Sequence, residues 1–558
     1  MMNYIKTAFT LLLLMIIVVC NAQTNTYSMS NPLDIPQTGW NKVLCMKNGN
    51  TLLLHFETGK KIQVKVFDST HKETGSRIDA CKVLDILKIA DARFKGLFEV
   101  NGEAVLFIDQ DHGSKHGLVR VRFGAVHGNI IGEDLAWESH SENKQTIFFV
   151  MKNKEDDNYE VVYCTDVRHP AKHNETLVRY YNNKHGIIKD VPLEVDDRTK
   201  YDYCNVVGAE AQPNGILVTM SLETIVINGT LNRGKSYTPS GAIYDHNLHF
   251  FYIPKGNNNP VTRLVNVGNA VFPNYCIYTY NQFAQASNLL LYSYKPVVDR
   301  FGLNLVTGGL SRNIFFKIDT QEKTVGLNLI KNAEATKYLG AQTGDTTKIF
   351  VGVPAKLFTN ENGLSTLVSQ SFDQYGGLET RVRYNHEMYY GKICITQFDD
   401  NGNEIWGKVL PLAQYFKSYK HDYDYRSKDV SMRWQDEIIF GDLPEQVYDR
   451  QFHSINTYNH DKDFFIVYND YDKNFGNTLA KPGDTVYTFE NTNACYYKMD
   501  RKKEVTKKYL FGLQQAGEYR CSFIDGADFD DRTGIYASLI QYKKEGDVSL
   551  RMAWAHLK

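Results

Sequence analysis

Short runs of β-branched and aromatic residues recur along the whole chain, each six or seven residues long and bounded by Gly, Asn, Asp or Lys. The clearest are Thr51 to Phe56 (TLLLHF), Gln145 to Met151 (QTIFFVM), Gly215 to Met220 (GILVTM), Leu248 to Ile253 (LHFFYI), Asn288 to Tyr294 (NLLLYSY) and Asp463 to Tyr468 (DFFIVY). Runs of this length between turn-forming residues read as β-strands. Helical periodicity is rare. Apolar positions at 83, 86, 87, 90 and 94 predict one short helix over Val83 to Phe94.

Four segments share a further pattern, in which an apolar strand ends in a hydrophobic residue and Asp, followed by a short polar turn and a second strand. They are IQVKVFDSTHKET around Asp68, IFFKIDTQEKTVG around Asp319, ICITQFDDNGNEIWGKVL around Asp399 and CYYKMDRKKEVTKKY around Asp500. An Asp opening such a turn can accept the backbone N–H two residues on, and Asn401-Gly402 tolerates positive φ, so the four read as equivalent hairpins. Asp319, Asp399 and Asp500 stand 80 and 101 residues apart. Units of roughly 65 to 80 residues would give about seven or eight copies over residues 23–558, which matches the blade numbers of a β-propeller. The expected fold is therefore all-β, a β-propeller of about seven or eight blades; tandem β-sandwich domains are the alternative. The last strand, Val548 to Ala555, is expected to complete the first blade and close the ring.

The first 22 residues break the pattern. Lys6 precedes the apolar stretch Ala8 to Val19, too short for the roughly 20 apolar residues of a membrane span, and Cys20-Asn21-Ala22 offers a cleavage site before Gln23. Residues 1–22 are expected to be a signal peptide, leaving an exported chain with no membrane span. Lipidation at Cys20 or an uncleaved anchor are the alternatives. Charge is balanced, with 63 Lys and Arg against 64 Asp and Glu, so no global field draws the chain to nucleic acid or anionic lipid. Eight cysteines follow the signal, without C-x-x-C spacing and mostly inside strand-like runs, which points to buried thiols and at most one or two bridges.

Candidate chemistry is sparse. Gly229 to Ser236 (GTLNRGKS) fits the phosphate-loop pattern, but Pro239 and Gly241 deny it the following helix it needs, so it reads as a turn. Asp470-Tyr471-Asp472-Lys473-Asn474 opens like a calcium loop, yet Phe475 stands where Gly is required. The acidic turn holding Asp525, Asp528, Asp530 and Asp531 is the better candidate for Ca2+, and no other cofactor is expected. His112/His116 and His169/His173 have helical chelating spacing, but Gly113, Gly117 and Pro170 oppose a helix and leave them as loop histidines. Lys420 to Arg426 (KHDYDYR) mixes charge with aromatics, as a binding rim or an exposed loop would.

The signal segment and the FDDNGNEIW-type hairpins resemble those of exported bacterial propeller-like proteins of unassigned function; the resemblance implies a fold and carries no active-site residues. The expectation is a non-enzymatic binding or scaffold protein of the periplasm or cell surface, whose partner is an envelope or extracellular protein or glycan. A carbohydrate hydrolase or lyase is the alternative, its site assembled from distant blades.

Overall fold

The computed structural model describes residues 26–36, 39–56, 61–85, 92–112, 115–138, 146–152, 156–165, 175–196, 200–201, 203–227, 242–268, 272–294, 297–298, 304–305, 311–319, 325–360, 362–377, 384–420, 452, 455–512 and 515–557. They form eight antiparallel sheets arranged as the blades of a propeller, and one further two-stranded pair, Val297–Val298 with Asn304–Leu305. Seven blades take their strands in simple chain order. Their first strands are Trp40–Cys45, Arg93–Val100, Ile147–Lys152, Tyr203–Gln212, Phe272–Asn281, Val353–Thr359 and Asn456–His460.

The eighth blade closes the ring in the direction opposite to the one expected. Its order is Glu518–Ser522, Ile535–Lys544, Asp547–His556 and then Tyr27–Met29, so the beginning of the chain completes the last blade rather than the end completing the first. Tyr27, Ser28 and Met29 pair with Ala555, Trp554 and Ala553. The ladder continues through the N–H of Ser30 to Met552 O (2.9 Å) and of Leu33 to Leu550 O (2.8 Å).

Each blade is covered on both faces by its neighbours, which explains why the strand runs are continuously apolar rather than alternating. Every residue of Thr51–Phe56, Ile62–Phe67 and Tyr159–Cys164 is buried. Apolar clusters fill the interfaces between blades; Leu52, Leu54 and Val64 of the first, for instance, pack against Leu106, Ile108 and Val119 of the second. A fully buried Leu contributes about 2 kcal/mol relative to exposure, and these residues are spread around the ring rather than gathered at one centre. Outer strands lose this cover. Glu73–Asp79 is mostly exposed and correspondingly polar.

The Asp-initiated hairpins all join the third and fourth strands of a blade. Around Asp68 the carboxylate accepts the N–H groups of Thr70 (2.8 Å) and Lys72 (3.1 Å), and His71 at φ 65° closes the turn. Asp399 repeats this with Asn401 (2.9 Å), Asn403 (2.8 Å) and Gly402 at φ 78°; Asp500 accepts Glu504 N–H (2.9 Å) with Lys503 at φ 64°. Asn182 of the third blade makes the same network through its amide oxygen. The turn after Asp319 lies outside the described residues, but its flanking strands occupy the same place in the fifth blade.

The helix expected over 83–94 is not supported where it can be checked: residues 86–91 lie outside the described set, and Phe94 belongs to the strand Arg93–Val100. The one α-helix among the described residues, α1 (Ala333–Thr343), links the fifth and sixth blades and buries Ala335 and Leu339. Its start is held by Glu404, which accepts the N–H groups of Lys331 (2.8 Å) and Asn332 (2.7 Å). No helix among the described residues is long and apolar enough to cross a membrane.

Removing the closing strand tests this arrangement. A chain starting at Asn31 is expected to lose about 2 kcal/mol or more relative to one starting at Thr26, since a ladder is removed and the edge of Asp547–His556 is bared. Equal urea midpoints for the two would rule out the closure.

Candidate functional site

Strand direction sorts the connections into two faces. One face carries the links from first to second and from third to fourth strand; none of these exceeds six residues in the first seven blades, and in the eighth the 12 residues between Ser522 and Ile535 include the short strand Asp528–Asp530, which leaves a turn of four. The other carries the links from second to third strand and between blades, and here lie the long segments after Ile330, Leu410 and Tyr471. Loops positioned by a rigid scaffold are where binding groups concentrate, so the loop-rich face is the place to look for a site.

A charged cluster sits on that face between the second and third blades. In the hairpin of Glu103–His112 with Lys115–Gly124, Asp111 lies directly opposite His116. His116 Nδ1 is 2.6 Å from Asp111 Oδ1 and Nε2 is 2.5 Å from Asp109 Oδ1, while Lys95 Nζ stands 3.5 Å from Asp109 Oδ2. Asp109 is fully buried, His116 and Lys95 nearly so, and Asp111 reaches solvent. Burial by itself would raise the Asp109 carboxyl, yet His116, Lys95 and Arg93 hold it below the usual carboxylate range. Burial likewise opposes the imidazolium of His116, and the two carboxylates overcome it and raise its pKa. A carboxylate oxygen thus stands beside each ring nitrogen of His116.

Two further groups depart from ordinary titration. His55 Nδ1–H donates to Asn41 Oδ1 at 2.7 Å, and burial pushes the ring's pKa down to about 4, so it is neutral near pH 7. Glu160, buried between the third and fourth blades near the short-turn face, is pushed up to about 7, chiefly by burial and then by Asp156, with Lys255 opposing.

The acidic stretch proposed for calcium is only partly a turn. Ile524–Gly526 forms a single 3-10 turn and Asp528–Asp530 a short strand paired with Ile535–Lys544. Asp525 stands 3.9 Å from Lys42 Nζ. Asp528 is half-buried and accepts the N–H of Cys45 at 2.7 Å. Asp530 faces Arg532 Nε (3.0 Å) and accepts from Thr533 Oγ1 (2.9 Å), and the Asp531 carbonyl lies 3.1 Å from His460 Nδ1. Among the described residues no three His, Cys, Asp or Glu side chains converge as a metal site.

In the second acidic stretch, buried Asp470 accepts from Asn474 Nδ2 (2.7 Å) and from Lys507 Nζ (3.0 Å). The cation it meets is thus an ammonium, which also lies over the rings of Tyr468, Phe475 and Tyr497. The eight cysteines after residue 22 are free thiols, six of them buried. The phosphate-loop match at 229–236, His169, His173 and residues 421–426 lie outside the described residues, as does the expected signal. His116 was visible in the sequence, but its spacing from His112 was the wrong signal. The informative one is cross-strand: Asp109 and Asp111 alternate on the strand that pairs with the strand of His116, Asp111 directly opposite it.

Two titrations follow. His116→Gln is expected to destabilise by about 3 kcal/mol, the scale of breaking a buried pair. A raised imidazole contributes fully below its unfolded pKa and loses that contribution as pH rises through the folded one, so the deficit should shrink toward alkaline pH. A deficit in urea unfolding that stays constant from acid to alkaline pH would contradict the ion-pair assignment. Glu160→Gln should act in the opposite sense. The wild-type carboxyl loses stability as pH rises from its unfolded value through about 7, so the variant should gain roughly 2 kcal/mol over wild type at alkaline pH and little in acid.

No protein-family model matches the sequence, and neither does any curated protein. Among solved structures the chain is similar to polysaccharide lyase Uly1, at 8% identity over 84% of this chain and 90% of that one, with a TM-score of 0.36. A PL25 ulvan lyase bound to a sugar fragment gives 10% identity over 70% and 94%, with a TM-score of 0.34. The Hadza microbial sialidase Hz136 gives 8% over 62% and 66%, with a TM-score of 0.32. Likeness of this degree says nothing about shared chemistry.

Proposed function

We propose that this chain is an exported, non-enzymatic binding protein that takes a glycan or protein partner on its loop-rich face. The observation that carries the reading is the asymmetry of the ring: on one face every connection in the first seven blades is six residues or shorter and the eighth blade turns in four residues after Asp528–Asp530, while the long connections open on the other face. Short turns locked by Asp or Asn have little to contact a ligand with; long connections held on a closed scaffold supply varied side chains in fixed positions. Near-neutral charge supports a partner recognised by shape and hydrogen bonds rather than by a bulk field.

The test combines a glycan array and extracellular proteins as probes with hydrogen exchange on the retained complex. Protection is expected in segments such as 331–352 and 472–491, with polysaccharide chain length unchanged on incubation. Protection confined to the Asp68, Asp399 and Asp500 turns would overturn the assignment of the face. New reducing ends or unsaturated sugar products would overturn the non-enzymatic reading in favour of a hydrolase or lyase.

A further inference from the structure

The seventh blade brings an amine, a carboxyl and a side-chain amide into one buried corner. Lys507 lies in the fourth strand of that blade, Val505–Tyr509, opposite Tyr497 of Thr492–Met499. Its side chain runs across the blade past the rings of Tyr468, Phe475 and Tyr497, whose centroids stand 5.6, 5.3 and 5.9 Å from Nζ. Asp470 is the penultimate residue of the second strand, Asp463–Tyr471, and the 3-10 turn Asp472–Asn474 brings Asn474 back to it. The side chains of Lys507 and Asp470 are 12% and 5% exposed, and Asn474 is 6% exposed.

The carboxylate straddles the other two groups. Asp470 Oδ2 accepts from Lys507 Nζ at 3.0 Å, and Oδ1 accepts from Asn474 Nδ2 at 2.7 Å. Lys507 Nζ also donates to the backbone carbonyl of Asn474 at 3.1 Å, which holds the amine beside that residue. The Asn474 amide is engaged at its other atoms too: Oδ1 accepts the N–H of Asp484 at 2.9 Å, and Nδ2 donates to Asp484 O at 2.7 Å. Gly483 leaves room for this approach, since a Cβ there would fall 2.3 Å from Asn474 Oδ1. An ion pair alone requires none of these amide contacts.

These are the parts that an amide exchange needs. A lysine acts as a nucleophile once it has given up its proton, and Asp470 stands to receive that proton on Oδ2. The Nζ lone pair then adds to Asn474 Cγ, and the π pair of the side-chain carbonyl moves onto Oδ1, where the Asp484 N–H meets the developing charge. When the carbonyl re-forms, the Cγ–Nδ2 bond breaks and Nδ2 leaves as ammonia, taking a second Nζ proton through the Asp470 carboxyl. An ammonium, a carboxylate and an amide go in; a substituted amide, a carboxylic acid and ammonia come out, with no oxidant or cofactor consumed. Contact between the groups supplies the high effective concentration that so slow a reaction requires, and burial protects the product from water.

We propose that Lys507 and Asn474 join in an intramolecular amide bond, formed by the chain itself with Asp470 as the proton carrier. The bond fastens the long connection after Tyr471, on the loop-rich face, to the outer strand of its own blade.

Peptide mass spectrometry of the purified full chain, incubated at neutral pH and then digested with trypsin, tests it. The fragment that begins at Asn474 is expected joined to the fragment containing Lys507, the pair lighter by one ammonia. The branched peptide is the readout rather than the intact mass, because a chain starting at Gln23 also loses ammonia when that residue cyclises. Asp470→Asn, which keeps the shape of the side chain, should lower the joined fraction roughly tenfold or more, and Lys507→Arg, which keeps the charge, should abolish it. Unfolding midpoints establish that both variants fold. Unjoined peptides from folded wild type would overturn the proposal. So would a link from Lys507 to Asp470 with loss of water, or a link that persists undiminished in folded Asp470→Asn. Wild type alone decides whether the bond exists, so a variant that fails to fold does not rescue the proposal.

Discussion

The pairing of Tyr27–Met29 with Asp547–His556 is the interaction on which the remaining architecture depends. A blade is apolar on both faces, so a row of blades leaves one uncovered face at each end, and only a closed ring removes both. Closure brings Trp554 and Met552 of the eighth blade against Leu53 and Phe67 of the first. Trp554 meets Phe67 at 5.3 Å, stacks on His71 at 4.3 Å and donates from Nε1 to Thr51 Oγ1 at 3.0 Å. That side chain is anchored in a strand whose outer edge is covered only because the start of the chain returns to it. Through it, residues more than 480 positions apart share one core.

Much of this ring was legible because its signals are local. Thr51 to Phe56 was read at its observed bounds, since a strand buried on both faces is a plain apolar run with turn residues at its ends. The hairpins at Asp68, Asp399 and Asp500 were readable because an Asx-type turn is specified by one side chain and the backbone beside it. The 101-residue step from Asp399 to Asp500, longer than the 80 before it, is explained by the segment between Leu410 and Asn456. The units between Asp68 and Asp319 escaped the repeat for a chemical reason: the corresponding turn opens with Gly124 in the second blade and Asn182 in the third.

What stayed hidden depends on register and on contacts between blades. Asp109, Asp111 and His116 meet through a pairing that fixes which residues face one another, and Lys95 joins them from a strand distorted between Phe94 and Gly96. Lys507 reaches Asp470 from 37 residues away, so a calcium-like spacing at 470–474 was read without its counter-ion. The helix α1 has only a weak apolar stripe, and its start is held by Glu404 from another strand rather than by a local cap. The direction of closure was unreadable for the same reason, since either terminus could have supplied the missing strand.

The long connections are not loose ornaments on this scaffold. Glu404 pins the entry to α1, Gln110 binds both the N–H (2.9 Å) and the carbonyl (2.7 Å) of Asp85, and Asn474 ties down Asp484. Each uses a polar side chain held in or beside a strand to satisfy loop backbone that burial would otherwise leave costly. A loop ordered in advance has less freedom to lose when a ligand arrives, so more of the contact energy is retained as affinity. The same pinning acts between the sixth and seventh blades, where Val486 is buried in the core and Tyr415 is held by the ladder to Tyr389. Closure of the ring bears on this loop as well, because Val486 packs in the cluster that also contains Trp554.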